Sequence, residues 1–321
     1  MLKFVMMPPQ DDLTRHWAEL LARELPQYRV VAPETEAEAY GELTDADAAY
    51  GWLPAEVLKQ TTRLRWLQNP HAGPFPGYYY PELIAHPVVV CNPRGIYNDH
   101  ISHHVMMFVL ALARGLPYYH EAQRQRRWDK QARKSSYLDL TQATALIVGV
   151  GGIGHETARL CTAFGMTVLG VDARWEYDVP DVDMHPPADL DALLPRADVV
   201  ITTTPHTPET EGMWHAARFK AMKRTAYFIN VGRGKTTKLD DLAEAIEQGD
   251  IAGCGLDVFE VEPLPATHRL WTLPNVLLTP HIAIRDAENI PERRWQLLLD
   301  NARRFAAGEP LRNVVDKAAW F

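Results

Sequence analysis

The sequence predicts an α/β protein built from two doubly wound parallel sheets. Its 321 residues are about twice the length of a typical single domain. Short apolar runs alternate with amphipathic stretches along most of the chain, the pattern of strands that need helices over both faces. A glycine-rich turn, Gly149-Val150-Gly151-Gly152-Ile153-Gly154, joins an apolar run to a helix-compatible one, and open α/β sheets bind their ligands at such strand ends.

The first hundred residues supply the first series. Residues 2–7 (LKFVMM) read as a strand, and 11–24 as a helix with Leu13, Trp17, Leu20 and Leu21 on one stripe. The runs YRVVAP, ADAAYGW, RWLQNP and PVVVCNP follow as further strands, with a short helix at 54–60 among them. Several of these strands run into Pro, Gly or Asn, so sharp turns are expected at their C-terminal ends. Residues 100–114 form an apolar helix ending in Arg114 and Gly115, a C-terminal signature whose apolar content suggests burial between domains.

A polar stretch at 119–139 precedes a more regular series. TALIVGVGGIG, TVLGVDAR, ADVVITTTP, AYFINVGRG, IAGCGLDVF and NVLLTPHIA read as strands, with helices at 153–164, 215–223 and 239–247. The last segment, 287–321, is amphipathic and helical up to a cap-like Gly308. It has no sheet of its own to finish, so it is expected to return to the first domain. The expected division is residues 1–98 plus 287–321 against 99–286.

Composition narrows the function. There are 33 Lys and Arg against 41 Asp and Glu, a net charge of −8, which argues against binding to nucleic acid or to an anionic membrane. An apolar fraction of 46% with 23% charged residues is that of a folded globule. No apolar stretch approaches the roughly 20 residues of a membrane helix, and the N-terminal run stops at Met7-Pro8, too short for a signal-peptide core. Cys91, Cys161 and Cys254 are odd in number and far apart, which fits buried thiols in a reducing compartment, and a cytoplasmic location is expected.

The glycine turn has the full context of a dinucleotide fingerprint. Strand ALIV enters it, a helix leaves it, and a second strand ends in the acidic Asp172. Gly149 permits the tight turn, Gly151 lets backbone approach a pyrophosphate, and Gly154 lets the helix pack close to the sheet. The helix N-terminus offers unpaired N–H groups and partial positive charge to the phosphates. Asp172 would accept bonds from the ribose hydroxyls and repel a 2′-phosphate, which favours NAD over NADP. Arg174, two residues on, could meet that phosphate and keeps NADP as the lesser alternative.

Three later strand ends carry unusual side chains: Arg233 between Gly232 and Gly234, Glu262 after GLDVFEV, and His281 in TPHIA. Each alone has a plain reading, as a solvated arginine, an acidic turn or a surface histidine. Together, on successive strands facing a nucleotide crevice, they match the needs of 2-oxo acid reduction. The developing alkoxide needs a proton, which His281 can give; Glu262 would orient the ring and favour its charged form. Arg233 can bind a substrate carboxylate at two points and polarise the carbonyl.

At these residues the sequence resembles the D-isomer-specific 2-hydroxyacid dehydrogenases, over nearly the whole chain, in the blocks VGVGGIG, TTTPHTPET, NVGRG, GLDVFEVEP and LTPHIA. The resemblance implies a Rossmann NAD-binding domain inserted into a flavodoxin-like substrate domain, and a homodimer. It implies Arg233, Glu262 and His281 as the catalytic triad. It further implies a cofactor lining of Gly152, Ile153, Asp172, Thr204, Pro205, Thr210, Val231 and Asp257, to which the turns add Gly149, Gly151, Gly154, Arg174 and Gly232. Asn69-Pro70-His71-Ala72-Gly73 resembles the substrate-carboxylate loop, with the backbone N–H groups of Ala72 and Gly73 as donors.

The chain departs from that pattern at Ile101-Ser102-His103, at Ala283-Ile284-Arg285-Asp286 and at the TTKLDDL phrase, which bears on pocket shape more than on reaction type. Glyoxylate or hydroxypyruvate is the preferred substrate, since no regulatory domain follows residue 321. The alternatives are a phosphoglycerate-type dehydrogenase and an NAD(H)-sensing, corepressor-like binding protein. Glu262 argues against formate dehydrogenase, a relative carrying Gln there. His100 and His104 have i, i+4 spacing, but no third ligand is evident and no metal is expected. Tyr78-Tyr79-Tyr80 reads as packing before substrate lining, Trp320-Phe321 as docked aromatics, and His71 and Arg94 are candidates to add polarity to the substrate pocket.

Overall fold

The structure, a computed structural model, describes residues 1–73, 77–130, 137–285 and 287–320. The chain forms two compact units, one of Met1–Ile96 with Glu288–Phe321 and one of Tyr97–Ala287.

In the first unit, β1 (Leu2–Met6), β2 (Tyr28–Val31), β3 (Ala48–Tyr50), β4 (Trp66–Gln68) and β5 (Val89–Cys91) make a parallel sheet in the order β2-β1-β3-β4-β5. That is the flavodoxin-like order, and it follows from helices crossing alternately over the two faces. Helix α1 (Asp12–Glu24) starts where Asp11 and Thr14 cap each other's backbone. Helices α2 (Glu36–Leu43), α3 (Ala55–Leu58) and α4 (Pro81–Ala85) complete the connections.

The side-chain alternation of β1 divides the core. Phe4 and Met6 pack with Trp17, Leu21 and Trp66 on one face, while Val5 joins Leu43, Leu53 and Leu67 on the other. The C-terminal helix, Asn289–Ala307, adds Trp295, Leu298 and Ala302 to the first of these clusters. Tyr78 and Tyr80 are packing residues whose hydroxyls donate to the carbonyls of Gly51 and Leu53. Trp320 packs on the same cluster, and Phe321 lies outside the described residues.

The second unit opens with α5 (Asn98–Ala113) and α6 (Leu116–Arg124), the latter running into the stretch at 119–139 that reads from sequence as merely polar. Strands β6 (Thr144–Val148), β7 (Thr167–Val171), β8 (Val182–His185), β9 (Val199–Thr202), β10 (Tyr227–Asn230), β11 (Gly253–Leu256) and β12 (Val276–Leu278) form a parallel sheet ordered β12-β11-β10-β9-β6-β7-β8. Renumbered within the unit, the order 3-2-1-4-5-6 with one added strand is the doubly wound dinucleotide-binding arrangement. Its order reverses between β6 and β9, where Val148 is in register with Thr202. Helix α5 buries Val105, Phe108 and Val109 against Ala145, Ile147, Ile201 and Ile229 of its own unit's sheet, so its apolar face is accounted for there. Helices α7 (Gly152–Ala163), α8 (Leu190–Leu193), α9 (Ala216–Ala221) and α10 (Leu239–Glu247) cover the remaining surface.

Candidate active site

At the strand-order reversal, the chain leaves β6 through Gly149, whose φ of +92° is a backbone conformation that L side chains rarely adopt. A Cβ on Gly154 would sit 2.1 Å from the Gly149 carbonyl oxygen, so helix α7 approaches the turn as closely as backbone allows. A Cβ on Gly151 would meet nothing within 4 Å, which leaves open space over the first turn of α7. No side chain caps that helix, and the leading N–H groups of an α-helix have no acceptor within the helix. An uncapped twelve-residue helix with an open cradle at its N-terminus fits a dinucleotide pyrophosphate.

Asp172 follows β7. Its carboxylate accepts from Val150 N–H at 2.8 Å and from Arg174 N–H at 2.8 Å, and Arg174 Nε lies 3.8 Å from it. A depression lined by Val150, His155, Asp172, Arg174, Tyr177 and Val179 lies beside these groups. Thr204 is buried, with its hydroxyl 3.0 Å from that of Thr202, and its backbone nitrogen borders Gly149. Thr210 closes the next turn, donating to the Pro205 carbonyl at 2.7 Å and accepting from Thr207 N–H at 2.8 Å. Ile153 is half-buried on the first turn of α7, and Gly152 abuts the Asn98 side chain.

The three chemistry-bearing residues sit after β10, β11 and β12. Val231 continues the β10 ladder onto the Thr202 carbonyl, and Gly232 N–H donates to Asn230 Oδ1 at 2.9 Å. Asn230 is fully buried and donates to the Arg233 carbonyl, Thr236 Oγ1 and Thr237 Oγ1, so one amide side chain shapes the turn that presents Arg233. Half-buried Arg233 donates to the Gly232 carbonyl at 2.7 Å. Burial holds its guanidinium below the ordinary arginine range, while the negative charge of Glu262 acts in the opposite sense.

Glu262 uses both carboxylate oxygens. One accepts from Phe259 N–H at 3.0 Å and the other lies 2.9 Å from His281 Nδ1. The imidazole is thereby turned so that Nε2 remains available, the arrangement of a proton-transfer group oriented by an acid. His281 itself has a φ of +54°, in the left-handed region. Asp257, 1% exposed, holds that turn: its carboxylate accepts from Thr279 Oγ1 at 2.6 Å, Ile282 N–H at 2.9 Å and Ala283 N–H at 3.1 Å. The residue expected from sequence to line the cofactor thus supports the His281 loop.

Sequence reasoning missed two residues. Asn230 is a buried polar residue closing the otherwise apolar strand YFIN, and that contrast was its signal. His104 places Nε2 2.8 Å from Thr279 Oγ1, a contact across 175 positions that no local pattern announces.

Within the first unit, Asn69 Oδ1 accepts from His71 N–H at 2.9 Å and Asn92 Nδ2 donates to the Ala72 carbonyl at 3.1 Å. In a trans peptide the Gly73 N–H points away from that carbonyl. Arg94 donates to the Val314 carbonyl of the C-terminal tail at 3.0 Å. Among the described residues no group of three or more His, Cys, Asp or Glu side chains is placed to hold a metal, and no helix is long and apolar enough to cross a membrane.

A family model described as D-isomer specific 2-hydroxyacid dehydrogenase, NAD binding domain, matches residues 106–283. The glyoxylate reductase of Thermofilum pendens is 31% identical over 295 residues, covering 89% of this chain and 86% of that one. Among solved structures, a D-isomer specific 2-hydroxyacid dehydrogenase from Xanthobacter autotrophicus Py2, in complex with NADPH and MES, gives a TM-score of 0.84 at 28% identity over 99% of each chain. The NADPH-dependent glyoxylate/hydroxypyruvate reductase of Sinorhizobium meliloti, in complex with NADP and sulfate, gives 0.81 at 27% identity over 100% of each chain. The chain belongs to the D-isomer specific 2-hydroxyacid dehydrogenase family of NAD(P)-dependent oxidoreductases.

Proposed function

We propose that the protein interconverts a small 2-oxo acid and its D-2-hydroxy acid, with glyoxylate or hydroxypyruvate as substrate. The observation that carries this reading is the 2.9 Å contact between His281 Nδ1 and a Glu262 carboxylate whose second oxygen is fixed by Phe259 N–H. A histidine so oriented holds a proton at Nε2 for an oxygen that gains negative charge, and in the reverse direction receives it. A nicotinamide dinucleotide, when bound, would supply or accept the hydride. Arg233 binds the substrate carboxylate and stabilises charge on the carbonyl oxygen; its partly buried position strengthens both interactions. In the first unit, the backbone N–H groups of Ala72 and Gly73 are assigned to substrate binding, and Asn92 donates to the Ala72 carbonyl.

For the cofactor, the α7 N-terminus with Gly151, Gly152 and Ile153 would take the pyrophosphate, and Thr204, Pro205, Thr210, Val231, Gly232 and Asp257 would line the nicotinamide half. We favour NAD over NADP: Asp172, at the end of β7, would accept from the ribose hydroxyls and repel a 2′-phosphate, and Arg174 Nε lies 3.8 Å from that carboxylate. The relatives solved with NADPH and NADP make this preference a direct test. A cytoplasmic homodimer completes the reading; all three cysteines are free and buried, which suits a reducing compartment.

The experiment follows consumption of NADH and of NADPH with a panel of glyoxylate, hydroxypyruvate, its phosphorylated form and larger 2-oxo acids, for the wild type and His281→Ala. Turnover of a small acid that His281→Ala abolishes supports the proposal. Tight NADH binding with no turnover of any acid would favour a sensing role, and preference for the phosphorylated acid would favour a phosphoglycerate-type enzyme.

A further inference from the structure

The turn that presents His281 is strained and held by a polar network reaching well beyond it. A non-glycine residue in the left-handed region costs on the order of 1 kcal/mol or more and persists only where the surroundings fix it. Here His281 N–H donates to the Thr279 carbonyl at 2.9 Å, and the Asp257 carboxylate takes the N–H groups of Ile282 and Ala283 just beyond. Asp257 also accepts the Thr279 hydroxyl at 2.6 Å.

That last bond decides the polarity of the next one. A carboxylate only accepts, so the single hydroxyl proton of Thr279 is committed to Asp257. The threonine oxygen has then only acceptor capacity left, and His104 Nε2, 2.8 Å away, must be the donor. Nε2 also lies 3.5 Å from the same Asp257 oxygen. The His104 ring is itself fixed, edge-on to Phe108 with centroids 4.9 Å apart. Phe108 packs under β11 at Gly255, where a Cβ would come within 2.6 Å of its ring. His104 therefore donates to Thr279 and Thr279 to Asp257, which also accepts from the backbone N–H groups on the far side of His281.

We propose that His104 is a positioning residue for His281, locking the Thr279 hydroxyl onto Asp257 so that the loop holds the imidazole against Glu262. Its ring contacts Thr279, Asp257 and Phe108, and it acts on His281 through them. The inference rests on His281 being the proton-transfer group, and the test separates the two. His104→Leu removes the donor and is expected to lower kcat about tenfold while leaving the KM for NADH within about twofold, the scale of one lost hydrogen bond in a charged network. His104→Gln, which keeps an N–H at the same reach, is expected to recover most of that loss. Thr279→Val should match His104→Leu, and the double variant should be no worse than Thr279→Val alone. The pH profile of kcat should move in His104→Leu and return in His104→Gln, which a merely space-filling role would not produce.

Wild-type kcat in His104→Leu, equal losses in the Gln and Leu variants, or losses that multiply in the double variant would overturn the inference. Should His104→Leu not fold, His104→Gln, Thr279→Val and their combination, compared in the same assays, decide the same question. Full turnover in His281→Ala would instead remove the proton-transfer reading itself. An inactive His281→Ala beside an indifferent His104 overturns the positioning role alone.

Discussion

Replacing Glu262 by Gln is the perturbation whose consequence can be worked out most fully from the geometry. The carboxylate accepts two hydrogen bonds, from Phe259 N–H at 3.0 Å and at the His281 Nδ1 contact of 2.9 Å. A glutamine of the same shape has one acceptor oxygen and one NH2, so it can serve only one of these donors. The backbone N–H of Phe259 is part-buried and the stronger claimant, because water cannot readily take the lost acceptor's place. The amide NH2 then faces Nδ1 and opposes a proton there, which disfavours the imidazolium needed to reduce an oxo acid. A bond to a charged group is worth about 1.5–3 kcal/mol. With 53% of the His281 and 38% of the Glu262 side chain exposed, water screening puts the loss near the lower end. A loss of about 1.5–2 kcal/mol corresponds to a fall in kcat of about 10- to 30-fold. The KM for the oxo acid should change little, because its carboxylate is assigned to Arg233. Steady-state NADH oxidation by Glu262→Gln, with NADH binding followed separately by fluorescence, reads both quantities. An unchanged kcat, or an effect confined to KM, would show that Glu262 does not control the protonation of His281.

Other consequences follow from packing and burial. Gly154→Ala would set a methyl 2.1 Å from the Gly149 carbonyl oxygen and force α7 away from the turn. Fluorescence titration should show NADH affinity reduced more than about tenfold with the fold retained by circular dichroism. Burial pushes the Cys91 and Cys161 thiols up to about 12 and that of Cys254 higher still, so a thiol reagent at neutral pH should label none of the three until the chain is unfolded. Burial also holds His104 below the ordinary value of 6.5, with Asp257 opposing, and His86 is lowered by burial and by Lys317. The unfolded chain then binds the protons that the folded chain resists. This contribution to stability is present above pH 6.5 and is lost as pH falls below it; denaturant midpoints should drop over that range, and His104→Gln should flatten the slope.

Much of the second unit is legible in the sequence because its signals are local. The alternation of apolar runs marks six of its strands, and the glycine turn with Asp172 marks the strand-order reversal through a spacing that the βα geometry imposes. Arg233, Glu262 and His281 stand out because charged side chains beside Gly and Pro at strand ends have no packing reason to be there. The missed elements have physical reasons too. Strand β8, VDMH, has little apolar content because it lies at the sheet edge, and α6 presents mostly polar faces, with Ala122 its one buried residue. His104 is not legible as functional because its partner is set by the tertiary fold: it and Thr279 meet across 175 positions. Asn230 bonds only within its own turn, up to seven residues away, and its one mark in the sequence is a polar side chain at the end of an apolar strand. Asp257 shows the converse limit. Its resemblance to a cofactor-lining residue is readable, but the three donors it accepts from the His281 loop are not.

Whether Arg233, Glu262 and His281 act as one unit on a 2-oxo acid is decided most sharply by a crystal structure with NADH and an unreactive 2-oxo acid analogue such as oxamate. The analogue's carboxylate should lie on the Arg233 guanidinium and its carbonyl oxygen within hydrogen-bond distance of His281 Nε2, with Nδ1 still on Glu262. An analogue bound away from Arg233, or an imidazole whose Nε2 faces solvent in that complex, would mean that the three groups do not share one substrate.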